Sequence, residues 1–190
     1  MIKREIKRVL GFLSSIFWGV KYSKGLYIGF GSKLVGGVCL KLSQDVQIMP
    51  QVMLVSLKGG QIEIGESSEI GMYSRIASQG YVKIGNNVIT GPNVFIADFN
   101  HEYRNPYVSI KKQGNHFIPT EDGSPNIIIG DNTWIGTNVV ILGNVHIGKQ
   151  CVIGANSVVT KDIPDYCVAV GTPAKVVKRY SFENDLWERI

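Results

Sequence analysis

Branched aliphatic side chains recur every six residues along much of this chain. Ile129, Ile135, Ile141, Ile147, Ile153 and Val159 follow one another without a gap. The residue after the branched one is small at Gly130, Gly136, Gly148 and Gly154. Two positions before it stands another apolar or small side chain: Ile127, Thr133, Val139, Val145, Cys151, Ser157. The same register occurs earlier at Ile64, Ile70 and Ile76, and again at Ile84, Thr90 and Ile96. It is fainter at Ile28 with Leu34 and at Ile48 with Leu54. A period of six suits neither a helix nor a plain strand pair. It suits a short strand of period two followed by a turn that redirects the chain. Gly85-Asn86-Asn87 and Gly130-Asp131-Asn132 fall at such turns, where those residue types accept dihedrals that branched residues refuse. Three six-residue sides close a triangular coil, and stacked coils form parallel ladders around an aliphatic core. The prediction is an all-β parallel β-helix of about six coils between residues 26 and 171.

Two interruptions break the period. Residues 76–84 slip by two, which predicts a bulge at one corner. The next periodic position after Ile96 is not reached until Ile129, so the chain must leave the prism within 99–126. That excursion holds His101, Arg104, Lys111, Lys112, His116, Glu121 and Asp122, with Pro106, Pro119 and Pro125. A long loop in a regular solenoid is a place to look for function.

Charge changes the picture at one end. Residues 1–24 hold Lys3, Arg4, Lys7, Arg8, Lys21 and Lys24 against one acid, Glu5, and so carry the whole formal charge of +5. The remaining fourteen basic and fourteen acidic residues cancel. A neutral body without a basic, aromatic-laced stripe argues against nucleic acid. The run Val9–Val20 is too short to span a bilayer, and no small-residue cleavage site follows it. Ile2, Ile6, Val9, Leu13, Ile16, Phe17 and Val20 recur at helical spacing, so residues 1–24 read as an amphipathic helix. The favoured role is a plug for the open base of the prism, with the apolar face against Leu26 and Ile28. The alternative is a peripheral anchor on an anionic membrane. The three cysteines, Cys39, Cys151 and Cys167, share no metal or redox spacing and read as reduced intracellular thiols, two of them core fillers.

Three histidines offer acid–base chemistry. His146 lies at an outward position, and His116 sits in mid-loop. His101 stands where the chain leaves the coil, in Asp98-Phe99-Asn100-His101-Glu102-Tyr103. An imidazole there can take a proton from a hydroxyl, or be an ordinary loop histidine. The histidine and cysteine spacings supply no zinc set, and the chain has no nucleophile elbow and no phosphate-binding glycine loop.

Residues 64–180 resemble the hexapeptide-repeat acetyltransferases, and most closely the sugar and exopolysaccharide O-acetyltransferases. The resemblance rests on Ile129-Gly130-Asp131-Asn132-Thr133-Trp134-Ile135-Gly136, on Ile153-Gly154-Ala155-Asn156-Ser157 through Lys161-Asp162-Ile163-Pro164, and on Val170-Gly171-Thr172-Pro173-Ala174-Lys175. It implies a left-handed β-helix, acetyl-CoA as co-substrate with no metal, and a homotrimer with sites between adjacent prisms. His101 matches the family's general base, with Asp98, Asn100 and Glu102 as supporting residues, Asp98 or Glu102 orienting the imidazole. Trp134 and Gly136 match the acyl-donor groove, and the Thr137 N–H matches an oxyanion donor. Ala155, Thr160 and Lys161 match positions along the pantetheine arm, and Lys175 and Lys178 match cations at the nucleotide phosphates. Tyr73 and Arg75 stand where related enzymes place an acceptor-binding asparagine, and Tyr103 and Arg104 flank the same acceptor region. Exopolysaccharide enzymes read Asp-His-x-His where this chain reads Asp98-Phe99-Asn100-His101. Both departures bear on the acceptor.

The reading is three segments: an N-terminal helix over 1–24, a β-helix acyltransferase domain over 25–171 with its excursion at 99–126, and a C-terminal extension over 172–190. The expected activity is acetyl transfer to a sugar or polysaccharide-precursor hydroxyl, in the cytoplasm or at the inner face of the membrane. N-acetylation of an amino-sugar nucleotide and a non-catalytic scaffold are the alternatives.

Overall fold

The structure, a computed structural model, describes residues 12–13 and 15–190. Half of the N-terminal helix expected over 1–24, residues 1–11 and 14, lies outside the described residues; within them, residues 12–13 and 15–18 are helical, and the chain over 19–24 is not. The rest is a left-handed parallel β-helix with three flat faces. The first face has nine strands, from Tyr27–Ile28 to Leu186–Arg189, of which the last two are antiparallel. Seven parallel rungs remain, one more than the period suggested, because the faint repeats near Ile28 and Ile48 each close a full coil. The second face has six strands and the third five.

Every periodic position points inward. Ile129, Ile135, Ile141, Ile147, Ile153 and Val159 are buried, and so are the residues two before each. Buried hydroxyls bridge successive coils instead of standing unpaired. Ser68 Oγ takes the Val88 N–H at 3.0 Å, and Thr133 Oγ1 takes that of Cys151 at 3.1 Å while donating to the Gly148 carbonyl at 2.9 Å. Cys151 and Cys167 are buried core thiols, and burial pushes the Cys151 thiol up.

The corners assign their turn chemistry differently from expectation. Asn132, Asn138 and Asn156 hold the left-handed dihedrals, with φ of 58°, 57° and 60°. Gly130 and Gly136 answer to stacking instead. A Cβ at Gly136 would lie 2.6 Å from the Ala155 nitrogen of the next coil, and one at Gly130 would lie 2.5 Å from that of Lys149.

The excursion leaves the ladder undisturbed. Ile84, before the loop, pairs with Ile129, after it, as regularly as Trp134 pairs with Val152 in the uninterrupted coils. Beyond the last coil the chain turns back in Ala174–Ser181 and Leu186–Arg189, which extend the first face as a hairpin. Edge-to-face contacts link Tyr180 with Phe182 and with Trp187, at 5.1 and 5.5 Å between ring centroids.

Candidate active site

The loop is fixed at its root by buried polar groups. Strand Phe95–Ala97 runs into Asp98, which is 3% exposed. Its carboxylate accepts from the Ser78 hydroxyl at 2.6 Å and from the Gln79 and Gly80 N–H groups at 2.8 and 3.0 Å, all in the turn one coil below. Phe99–His101 then pairs antiparallel with Asn115–Phe117, setting His101 opposite Asn115. The Phe117 ring covers Gly80, where a Cβ would meet it at 2.4 Å. Asn126 closes the far end: its carbonyl accepts from the Tyr81 N–H at 3.1 Å, and its amide donates to the Ile118 carbonyl at 3.0 Å and to Asn144 Oδ1 at 3.1 Å.

On this clamped hairpin the His101 side chain is exposed and makes no hydrogen bond among the described residues. It borders a hollow of about 170 Å³ with Arg75, Phe95, Ala97, Phe99 and Leu142. A neighbouring hollow of about 370 Å³ lies between Asn100, His116, Leu142, Asn144 and Thr160. Glu102 is occupied elsewhere. Its carboxylate accepts from the Tyr103 and Arg104 N–H groups at 2.9 and 3.0 Å and is paired with the Arg104 guanidinium. The Arg104 hydrogen bonds hold it well below the usual carboxylate range. Arg104 also donates to His116 Nδ1 at 2.7 Å.

The outer side of the first face carries a second constellation. Ile89, Trp134, Val152, Val168, Lys178 and Arg189 pair in register across six strands. Side chains at paired positions share a face, so this row is apolar over the coils and cationic on the hairpin. Lys175 pairs with Val170 beside it. The Thr137 N–H, at the adjoining corner, has no acceptor among the described residues.

Known proteins carry the same pattern. Residues 126–161 match the bacterial transferase hexapeptide family model of six repeats. The Escherichia coli protein WbbJ, named as a putative lipopolysaccharide-biosynthesis O-acetyl transferase, is 33% identical over 85% of this chain and 76% of its own length. The E. coli galactoside O-acetyltransferase is 38% identical over 63% of this chain, which spans 55% of that relative. The solved structure of AntD, an N-acyltransferase from Bacillus cereus in complex with dTDP and 3-hydroxybutyryl-CoA, superposes with a TM-score of 0.72 at 18% identity, covering 91% of this chain and 89% of that one. The chain belongs to the hexapeptide-repeat acetyltransferases.

Within this acetyltransferase the residues expected to share a site fall into two groups. Trp134, Gly136, Thr137, Ala155, Lys175 and Lys178 lie on the first face or at its corner with the second. His101, Thr160 and Lys161 lie past the opposite edge of the second face. One chain does not bring them together. The Tyr73-Ser74-Arg75 segment also divides: Tyr73 is an exposed corner residue with φ of 62°, Ser74 is buried and holds the Val94 N–H, and only Arg75 reaches the His101 hollow. Tyr103 is exposed, and Arg104 is taken up by Glu102 and His116.

The expected orientation of His101 by Asp98 or Glu102 is replaced by other partners: Asp98 is bonded to the turn at 78–80, and Glu102 to Arg104. The Asn100 side-chain oxygen accepts from the neighbouring His101 N–H at 3.0 Å. Residues that sequence reasoning passed over include Phe95, Leu142 and Arg189. Arg189 becomes visible only through strand register, since nothing in the hexapeptide pattern reaches it. Among the described residues no group of three His, Cys, Asp or Glu side chains is placed to hold a metal ion.

Proposed function

We propose that this chain transfers an acetyl group from acetyl-CoA to a sugar hydroxyl, with His101 as general base. The observation that carries the reading is the His101 imidazole, unbonded among the described residues and exposed beside a small hollow at the root of a firmly held hairpin. A base that exchanges a proton with a bound hydroxyl needs a free ring nitrogen on a fixed mount. His101 takes the acceptor proton, the oxygen attacks the thioester carbonyl, and the Thr137 N–H stabilises the oxyanion. The tetrahedral intermediate then expels the CoA thiolate, which regains the proton from the imidazolium. No acyl-enzyme forms. Trp134 and Gly136 line the donor groove, Ala155, Thr160 and Lys161 follow the pantetheine arm, and Lys175 and Lys178, joined by Arg189, meet the phosphates. Arg75 faces the acceptor, with Tyr73, Tyr103 and Arg104 around its entrance.

The separation of the Trp134 and His101 groups supports a site shared between adjacent prisms, and the family resemblance implies that the assembly is a homotrimer. Oxygen is favoured over nitrogen as acceptor atom because WbbJ and the galactoside enzyme, both named for O-acetyl transfer, are 33% and 38% identical, against 18% for AntD. Acetyl-CoA as donor sets the reaction in the cytoplasm. Incubation with acetyl-CoA and a panel of mono- and oligosaccharides and amino-sugar nucleotides tests the reading, with CoA release followed and the product treated with mild alkali. An alkali-labile ester on a sugar is the expected product. An alkali-stable amide would move the assignment to an N-acetyltransferase, and acceptor-independent CoA release alone would contradict both.

A further inference from the structure

The end of the prism that carries the N-terminus exposes several large apolar side chains. In the short helical stretch before Gly19, the small polar residue faces inward: Ser15 is buried, and its hydroxyl donates to the Phe12 carbonyl at 2.7 Å. Val20 enters the core, and Trp18 and Tyr22 pack against it. The large apolar residues of the same stretch face out. Phe12 and Leu13 are exposed, Ile16 is 63% exposed and Phe17 78%. Val38, at a corner of the first coil, adds to them at 90% exposed. Val38 belongs to the turn against which residues 18–19 lie, since a Cβ at Gly37 would fall 2.7 Å from the Trp18 carbonyl. An amphipathic helix that served only as a plug would present the opposite side to water. A cluster of exposed aromatic and aliphatic side chains at one end of the prism marks a surface that meets something.

The charge identifies what it meets. Lys21, Lys24, Lys33 and Lys41 are exposed around this end, and residues 1–24 together carry +5 while the remainder of the chain sums to zero. A second copy docking through the same surface would set like charges against each other. We infer that this end of the prism docks onto an anionic lipid surface, with Phe12, Leu13, Ile16 and Phe17 entering the interface and the lysines lying at the headgroups. Strand Phe95–Ala97 lies three rungs above Lys33–Val35, roughly 14 Å at the strand spacing of a sheet. Docking therefore holds the His101 loop a short way above the membrane, within reach of a sugar tethered there by a lipid. That consequence rests on the acetyl-transfer reading, whereas the docking does not.

The test is co-sedimentation of the full chain with phosphatidylcholine vesicles, with and without phosphatidylglycerol, at low and high salt. Size-exclusion chromatography and acetyl-CoA-dependent turnover on a soluble sugar are measured in parallel. Binding should require phosphatidylglycerol and weaken as salt screens it. Lys21→Glu with Lys24→Glu should weaken it by about tenfold or more. Phe12→Ser with Ile16→Ser and Phe17→Ser should abolish it, while elution volume and turnover stay at parental values. Equal binding to neutral vesicles, or none to either kind, would overturn the proposal. So would a triple variant that changes elution volume, since the patch would then join copies of the chain. Lipid binding without turnover would leave the docking standing and count only against acetyl transfer.

Discussion

The coils over 127–159 and the loop over 99–126 adjoin in sequence, yet different physics holds them in place. In the coils each inward position is aliphatic, a thiol or a satisfied hydroxyl, and all are buried. No single residue decides the coil, because the rungs above and below repeat the same arrangement. The excursion has no such redundancy. Its place depends on three groups: the Asp98 carboxylate on the 78–80 turn, the Phe117 ring on Gly80, and the Asn126 amide between Ile118 and Asn144. A periodic region therefore spreads its stability, while the excursion concentrates its positioning in a few contacts at its root. The two should fail in different ways when mutated.

Substitutions that separate those failures come first, ordered by size. Ile141→Ala removes a fully buried coil side chain and should cost about 2–5 kcal/mol of stability. Its thermal midpoint should fall clearly, with turnover per folded molecule unchanged well below the new midpoint. Asp98→Ala leaves the Ser78 hydroxyl and two N–H groups without their acceptor, at about 1–3 kcal/mol for a buried group left unpaired. Here the larger loss should be in kcat, because the hairpin that carries His101 is freed, with acetyl-CoA affinity retained. A coil variant that damaged kcat, or an Asp98 variant that spared it, would erase the distinction. Asp98→Asn should recover part of the activity, since an amide oxygen can still accept from two of the three donors.

The smallest expected effect on stability lies on the hairpin. Replacing Lys178 and Arg189 together by alanine should raise the acetyl-CoA KM and leave kcat alone. Each charge-assisted contact to phosphate is worth about 1.5–3 kcal/mol. The same pair should lose discrimination between acetyl-CoA and its form lacking the 3′-phosphate. Equal KM values for parent and variant, at low and moderate salt, would make these cations ordinary solvated charges.

The same contrast governs what the sequence disclosed. Inward positions were legible one by one because burial imposes the six-residue period directly, and the excursion followed from the period's absence. The first coils were undercounted because their repeats are longer than the regular coil. Ile28 pairs with Ile48 and Ile48 with Ile70, whereas the later Ile135 pairs with Ile153, and the unequal steps blur the register. Glycine at the corners was visible, but its reason was not: the crowding at Gly130 and Gly136 comes from the next coil, which no local pattern displays. In the loop, His101 could be picked out as chemistry at an exit from the prism. The use of Asp98 could not, since its partners Ser78, Gln79 and Gly80 lie a whole coil earlier. The row from Trp134 to Arg189 likewise exists only once strands are in register. Of the apolar stripe expected of a plug, Leu13, Ile16 and Phe17 are exposed while Val20 enters the core, because the helix ends before Val20 and helical spacing no longer sets its direction. Ile2, Ile6 and Val9 lie outside the described residues.

The most direct test of the central claim is the rate of acetyl-CoA-dependent product formation by His101→Ala, with His146→Ala as a surface control and acetyl-CoA affinity measured in parallel. General-base catalysis by a mounted imidazole predicts a loss of about 10²–10⁴ in kcat for His101→Ala. Donor affinity and thermal midpoint should stay at parental values, and His146→Ala should be silent. A His101→Ala enzyme that turns over within about tenfold of the parent, below the usual range for a general base, would contradict the account.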